Sequence, residues 1–534
     1  MRNEERISEN STKNLLRQGS ILMIASILVR VMGLIYRIPL TNLWGDQGLG
    51  TYGDAYQVYT LFLIISSVSV PTMMSKMMGE RLARKEYADA KKVFRCALYL
   101  VGGMGLFCTL LMWFANTWIA NTFFHNPDAA LVIRVLSPTV LIVSVMSVFR
   151  GYFNGTGNMR PTAVSQLIEG FVNAIVSVVM AMLLYQISLN WSVAGGISGT
   201  SIGALAGLLF LVFCYMAFRR RNPIGSVRIQ EAREKTSEIY RHMAMLMVPI
   251  ILSSTMFNLK SLIDASVFTK LMLAKGEEAG YIQGLRGIYT GKFTMFLNVP
   301  IAFGDSLATA LVPSVSSCVA LGQSQELKSR IQSVTKAVLL ITVPAAAGLA
   351  ILGKAILKMF FPASPLGGEM FWIGAFSVVC YALNYVATAI LQGMNKPHIP
   401  TRNGLICVVV SCILNVLFVW AFNLGAFSLP LNSLVFSFGM MALNLFYAQK
   451  YCGLRLHMGR LLMKPLLCSA AMVFFCFIFY VLLFAITGSN SLAVLGAIGI
   501  AVVVYFFLMV NCGGITGRDM SELPFGKVLG FFRI

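Results

Sequence analysis

Ten ionisable side chains fall inside stretches apolar enough to lie in a membrane: Arg30, Arg37, Asp54, Arg134, Glu169, Lys260, Asp264, Lys292, Asp305 and Lys336. An ionised side chain at the bilayer centre costs about 2.5–3.5 kcal/mol on insertion scales, so each is expected to face protein or water. Arg30 and Arg37 are seven residues apart, which on a helix advancing about 100° per residue returns them to within about 20° of one face. Lys260 and Asp264 are four apart and can likewise share a face. By rise per residue, Arg30 lies a little past mid-membrane, whereas Arg37, Lys260 and Lys292 lie toward the outer side. Asp54 is placed to pair with Arg37.

Guanidinium and ammonium groups in a low-dielectric cavity suit a phosphate or pyrophosphate, arginine through bidentate hydrogen bonds and lysine as a point charge. The competing reading is that these groups pair with acids to hold helices together, or snorkel to the surface. Arg30, Arg37, Asp54, Lys260, Asp264, Lys292 and Glu169 form the candidate substrate-binding set, while Arg134 and Lys336 sit near span ends, where snorkelling suffices.

Signals for catalysis are poor. The four histidines (His125, His242, His398, His457) are isolated in or near loops, so spacing assembles neither a metal site nor a nucleophile–base pair. There is no phosphate-binding P-loop and no dinucleotide fingerprint. The expectation is a protein that is not an enzyme and has no cofactor or metal. Its work would be driven by a Na+ or H+ gradient, by membrane potential, or by consumption of a product.

The elements that must position these charges are membrane helices. Of 534 residues, 57% are hydrophobic and only 12% charged, against about 25% charged in soluble proteins, and the mean hydropathy is +0.75. Apolar runs long enough to cross about 30 Å lie near 18–40, 52–76, 93–120, 131–154, 161–187 and 193–218. Six more lie near 243–269, 284–312, 331–353, 367–392, 403–422 and 428–450, and a last pair near 463–487 and 491–512. The expected fold is an all-α polytopic membrane protein of about 14 transmembrane helices. The divisions are an N-lobe over 1–220, a basic linker over 221–242, a C-lobe over 243–455, and a final helix pair with its tail over 456–534.

The net charge of +21 would suggest nucleic acid in a soluble protein. Here Lys and Arg concentrate in alternate loops, which by the positive-inside rule makes both termini cytoplasmic and leaves membrane lipid, not nucleic acid, as the partner. A multi-pass membrane protein follows. Residues 1–17 are polar and no cleavage site follows the first apolar run, so that run is expected to stay as a helix. The 11 cysteines lie in or beside apolar segments without paired spacing and read as small buried side chains.

The two sixes look related. FNGTGNMRPT (153–162) matches LQGMNKPHIPT (391–401) with one insertion, each between a fourth and a fifth span, and Pro71 matches Pro313 at nearly the same offset. An even number of spans per repeat gives the copies one orientation, hence two parallel six-helix lobes around a central cavity, the geometry of alternating access. Gly195, Gly199, Gly203 and Gly207 recur every four residues, a smooth face for close helix packing. Pro138, Pro249, Pro300, Pro313 and Pro344 fall in or near spans and permit kinks.

The stretches ILVRVMGLIYRIPLTNLWGDQGLGTYGDAYQVYTLFLIISSVSVPTMMSK and FRGYFNGTGNMRPTAVSQLIEG resemble the SpoVB-type and MurJ-type flippases of the multidrug/oligosaccharidyl-lipid/polysaccharide exporter superfamily. With the repeat and fourteen spans, the resemblance covers almost the whole chain. It implies two six-helix lobes moving a lipid-linked precursor such as lipid II from the inner to the outer leaflet, with the final helix pair forming a groove for the lipid tail. Arg30 in R-V-M-G-L falls on a cavity arginine of MurJ-like proteins and Asp54 in G-D-A-Y on a cavity aspartate. The family's second arginine falls on Tyr36, with Arg37 one position later and about 100° around the helix.

The expected function is therefore a flippase for an undecaprenyl-pyrophosphate-linked glycan, acting as a monomer, with cell-wall synthesis machinery as a possible partner. Three other classes stay open: a MATE-like cation-coupled drug exporter built on acids such as Glu169, Asp264 and Asp305, a non-transporting scaffold for cell-wall or sporulation machinery, and, disfavoured by the lack of large polar catalytic loops, a membrane enzyme such as a lipid-using glycosyltransferase.

Overall fold

The computed structural model describes residues 2–221, 232–453 and 458–515. Residues 222–231 of the expected linker, the short stretch 454–457 and the tail beyond 515 lie outside the described residues. The described residues contain α-helices and no strand. In chain order the helices are α1 (Arg2–Leu63), α2 (Val70–Ala83), α3 (Tyr87–Ile119), α4 (Ala129–Gly155), α5 (Arg160–Tyr185), α6 (Leu189–Arg221), α7 (Thr236–Ala274) and α8 (Ala279–Gly287). There follow α9 (Thr294–Ala320), α10 (Ser324–Phe360), α11 (Met370–Gly374), α12 (Ser377–Gly393), α13 (His398–Val416), α14 (Ser428–Cys452), α15 (Met458–Thr487) and α16 (Asn490–Asn511).

Thirteen runs among the described residues are long and apolar enough to cross a membrane. The first, Leu28–Leu82, is 55 residues long and takes in the second half of the first expected span and all of the second, so each of the fourteen expected segments overlaps such a run. The chain is an all-α polytopic membrane protein. The connection expected at 41–51 is itself helical, because one residue makes the break: Gly45 has φ 62°, ψ −169°. That backbone region is essentially restricted to glycine. Arg37 on one side of the break hydrogen-bonds Tyr52 on the other at 3.2 Å, whereas fifteen residues of straight helix would separate them by about 22 Å. The helix therefore folds back on itself at Gly45.

Two compact units divide the chain, Met1–Thr269 with Ala279–Gly284, and Lys270–Glu278 with Leu285–Ile534. In the first, one core gathers Leu40, Trp44, Tyr59, Phe124, Leu136, Ile197 and, from α7, Leu262 and Ala265. A second gathers Met73, Met77, Phe94, Phe149 and Tyr152 with Ile239, Met243 and Met247 of α7. The glycine ladder of α6 packs on α5 as its spacing predicts: a Cβ on Gly199 would lie 2.2 Å from Ser177 Oγ and one on Gly203 would lie 2.6 Å from the Glu169 carbonyl. Such contacts exclude any side chain and let the backbones approach.

The start of α7 is anchored by one residue. The Glu234 N–H donates to Asp89 Oδ1 at 2.9 Å, its carbonyl accepts from Lys92 Nζ at 2.5 Å, and its carboxylate accepts from Arg81 at 2.5 Å. Arg81 and Asp89 are both 5% exposed. All three hydrogen-bonding groups of Glu234 are thus held by charged side chains of the α2–α3 hairpin.

In the second unit, the core gathers Leu311, Val315, Ile331, Val338, Val386, Ile390 and Ile399. The final pair α15–α16 packs together and on α10, where Asn490 Nδ2 donates to the Ala355 carbonyl at 3.0 Å. All eleven cysteines are free.

The sequence repeat is a structural repeat at its most similar point. After α4, Thr156, Gly157 and Asn158 donate to the carbonyls of Tyr152, Asn154 and Phe153; after α12, Met394, Asn395 and Lys396 donate to those of Ile390, Gln392 and Leu391. The left-handed residue is Gly157 (φ 76°) in one turn and Asn395 (φ 59°) in the other, both types that tolerate this conformation. The glycine closing each helix also meets the corresponding neighbour. A Cβ on Gly155 would lie 2.6 Å from Met78 Cβ on α2, and one on Gly393 would lie 2.7 Å from Val315 Cβ on α9.

Candidate functional site

The fold-back at Gly45 builds a cage for one cation. Arg37 Cζ lies 5.6 Å from the Tyr52 ring centroid and 5.5 Å from that of Tyr56, and its Nη2 donates to the Tyr52 hydroxyl. The rings brace one another: Trp44 stacks on Tyr52 at 5.6 Å, and Tyr52 on Tyr56 at 5.6 Å. Trp44 is fixed in turn by its Nε1, which donates to Ser192 Oγ at 2.9 Å. Aromatic faces hold a cation through their quadrupoles without cancelling its charge. Arg37 Nε is buried and has no hydrogen-bond partner.

The preceding half of α1 is set against α5 by polar contacts one helical face wide. Ser26 Oγ donates to Gln166 Oε1 at 3.1 Å, and Asn173 Nδ2 to the Tyr36 hydroxyl at 3.3 Å. Tyr36 therefore ties α1 to α5 through its hydroxyl. Arg30 lies on this segment and is exposed.

Each acid of the candidate set is engaged. Asp54, 2% exposed, accepts from Asn126 Nδ2 at 2.9 Å, and no ion pair joins it to Arg37. Glu169 accepts from Arg150 Nη2 at 2.6 Å, with Arg150 Nε donating to Ser165 Oγ at 3.2 Å. Asp264 and Lys260 form the local pair that their spacing permits, at 2.6 Å and nearly buried. All of these residues lie in the first unit. Lys292, in the second, is 1% exposed; its ammonium donates to the Ser364 carbonyl at 2.5 Å and to Ser364 Oγ at 3.1 Å. Its environment is that of an internal tie between the wide helical turn Ile288–Phe293 and the chain after α10.

A sequence profile of the polysaccharide biosynthesis proteins matches residues 15–319, more than half of the chain. The chain belongs to that family. A second profile, MatE, matches residues 249–417. This polysaccharide biosynthesis protein is 27% identical over 525 residues to the membrane protein YabM of Bacillus subtilis, covering 96% of each chain. It is 24% identical over 425 residues to the lipid II flippase MurJ of the same organism, covering 76% of this chain and 77% of that one. It is also 24% identical over 395 residues to that organism's stage V sporulation protein B, covering 74% and 76%. The solved inward closed conformation of a lipid II flippase MurJ matches it with a TM-score of 0.67 at 15% identity, over 91% of this chain and 97% of that one. The fold is that of the exporter superfamily its motifs resemble.

Two parts of the site were not singled out by sequence. Arg150 stands in the fourth span, just before the repeat motif, and the antiparallel hairpin about residues 156–159 carries it opposite Ser165, within an arginine's reach of Glu169. That hairpin geometry was the available signal. The tyrosines at 52, 56 and 59 recur at helical spacing, but the meeting of Tyr52 and Tyr56 with Arg37 depends on the break at Gly45.

Proposed function

We propose that this protein is an alternating-access flippase that carries a lipid-linked cell-wall or polysaccharide precursor, of the undecaprenyl-pyrophosphate-glycan type, from the inner to the outer leaflet. It acts as a monomer in the bacterial cytoplasmic membrane with both termini inside, driven by an ion gradient or the membrane potential, and catalyses no covalent step. Arg30 and Arg37 hold the pyrophosphate while the polyprenyl chain stays in lipid. Lys292, taken up by Ser364, has a structural part.

The observation that carries this reading is the Arg37 cage. A guanidinium held by tyrosine faces within a membrane-spanning run keeps its positive charge, which suits an anionic group arriving from the membrane. Two of the three acids named for a cation-binding drug exporter are engaged by cations instead: Glu169 by Arg150 and Asp264 by Lys260. Relatedness to a lipid II flippase over three quarters of the chain supports the same reading.

The test is transbilayer movement of a fluorescent undecaprenyl-pyrophosphate glycan in vesicles containing the purified protein. Wild type is expected to move it, and Arg30→Ala and Arg37→Ala to lose most of that activity at equal protein content. Unimpaired movement by both variants would remove them from the site.

A further inference from the structure

From residue 370 to residue 518 the sequence contains no aspartate or glutamate, yet it keeps Lys396, Arg402, Lys450 and Lys464 among its basic residues. Lys396 lies just before α13, Arg402 in its first turns, Lys450 at the end of α14 and Lys464 in the first turns of α15, on the face that the positive-inside rule makes cytoplasmic. The structure gathers the first two against the end of α14. Lys396 Nζ lies 3.6 Å from the Tyr451 ring centroid, Arg402 Cζ lies 4.8 Å from that of Tyr447, and the two rings stack at 6.5 Å and 23°. Arg402, Lys450 and Tyr451 are exposed. No carboxylate pairs with Lys396 or Arg402 among the described residues.

We infer that Lys396, Arg402, Lys450, Tyr447 and Tyr451 form a docking surface for the phosphodiester headgroup of an anionic phospholipid of the inner leaflet. Three features of the patch suit that occupant. The tyrosine faces orient the cations without neutralising them, so the patch presents three positive charges to the leaflet that carries negative ones. The guanidinium and ammonium supply several donors to phosphate oxygens. Tyrosine is itself an interfacial residue, with an apolar ring for the acyl boundary and a hydroxyl for the headgroup layer. The turn that carries Lys396 is pinned by the left-handed Asn395, and Arg402 rides on the first turns of α13.

The contrast within the same unit is Arg330, an exposed arginine already paired with Glu326 at 2.5 Å. The test uses the full chain in nanodiscs of equal parts phosphatidylglycerol and phosphatidylcholine, with retained lipid identified by native mass spectrometry. A photoactivatable phosphatidylglycerol maps the contact. Wild type is expected to retain phosphatidylglycerol preferentially and to crosslink between residues 446 and 451. Lys396→Gln with Arg402→Gln is expected to lower that preference by about fivefold per charge removed, and Arg330→Gln to leave it unchanged. Equal preference in wild type and the double variant would overturn the inference, as would an equal loss in Arg330→Gln, which would reduce the effect to net charge. Loss of the labelling to excess inorganic phosphate or to an acidic peptide, with no preference between the two lipids, would overturn it in favour of a soluble anion. None of these outcomes depends on the cargo proposed above.

Discussion

Arg37 and Tyr52 meet across a glycine: fifteen residues apart in sequence, they hydrogen-bond at 3.2 Å because Gly45 turns the helix between them back on itself. The cation that the transport reading depends on is therefore placed by a backbone conformation, and the ring stack Trp44–Tyr52–Tyr56 holds it there.

Gly45→Ala is expected to destabilise the protein by about 1–3 kcal/mol, the range for a side chain forced into a backbone region that only glycine populates freely. Open space surrounds the position, so steric overlap adds nothing. Thermal unfolding in detergent checks it, and Gly45→Asn should be no milder, since asparagine tolerates the left-handed helical region but not this one.

Tyr52→Phe removes the hydroxyl that accepts from Arg37 but keeps the ring. We expect a loss of roughly threefold to tenfold in transport, matching a net hydrogen bond of about 0.5–1.5 kcal/mol, and a larger loss in Tyr52→Leu, which also removes the cation–π face. Equal activity of wild type and both variants in the vesicle assay would show that the cage does not position Arg37.

Glu169→Gln leaves the half-buried Arg150 without its carboxylate. The expected cost is about 1–3 kcal/mol of stability, recovered in large part by exchanging the two residues in Arg150→Glu with Glu169→Arg. Retained transport in the exchanged protein would mark the pair as structural. Abolished transport with normal stability would point to a direct role for Glu169 in binding.

Glu234 fixes the beginning of α7 through its N–H, carbonyl and carboxylate. Glu234→Gln is expected to speed amide exchange in the first turns of α7, around Ile239 and Met243. Exchange over α5 should remain as in wild type. Unchanged exchange in α7 would mean that the apolar contacts of Ile239, Met243 and Met247 suffice without the ionic anchor.

The membrane spans were legible because hydropathy over twenty residues is a local property, and the pair Lys260–Asp264 because a four-residue spacing fixes proximity on any helix. The turn after α4 could be matched to the turn after α12 because both need the same left-handed residue and closing glycine. What was not legible depends on contacts distant in sequence. Asp54 was expected to meet Arg37, but helical position sends it toward Asn126, while Tyr52 and Tyr56 face the guanidinium. Lys292 read as a cavity cation, yet its partner Ser364 lies 72 residues on, in a turn whose course no local pattern reveals. The polar, glycine-rich stretch 41–51 likewise read as a loop, which concealed that the first two spans form one helix broken at a single residue.

The most direct test of the central claim is the leaflet exposure of lipid II in cells depleted of this protein and supplied with wild type, Arg30→Ala or Arg37→Ala, with total precursor quantified alongside and other flippases absent. The account predicts that depletion traps the precursor in the inner leaflet, that wild type restores exposure, and that the two arginine variants do not at equal expression. Full exposure after depletion, or full restoration by both variants, would contradict it.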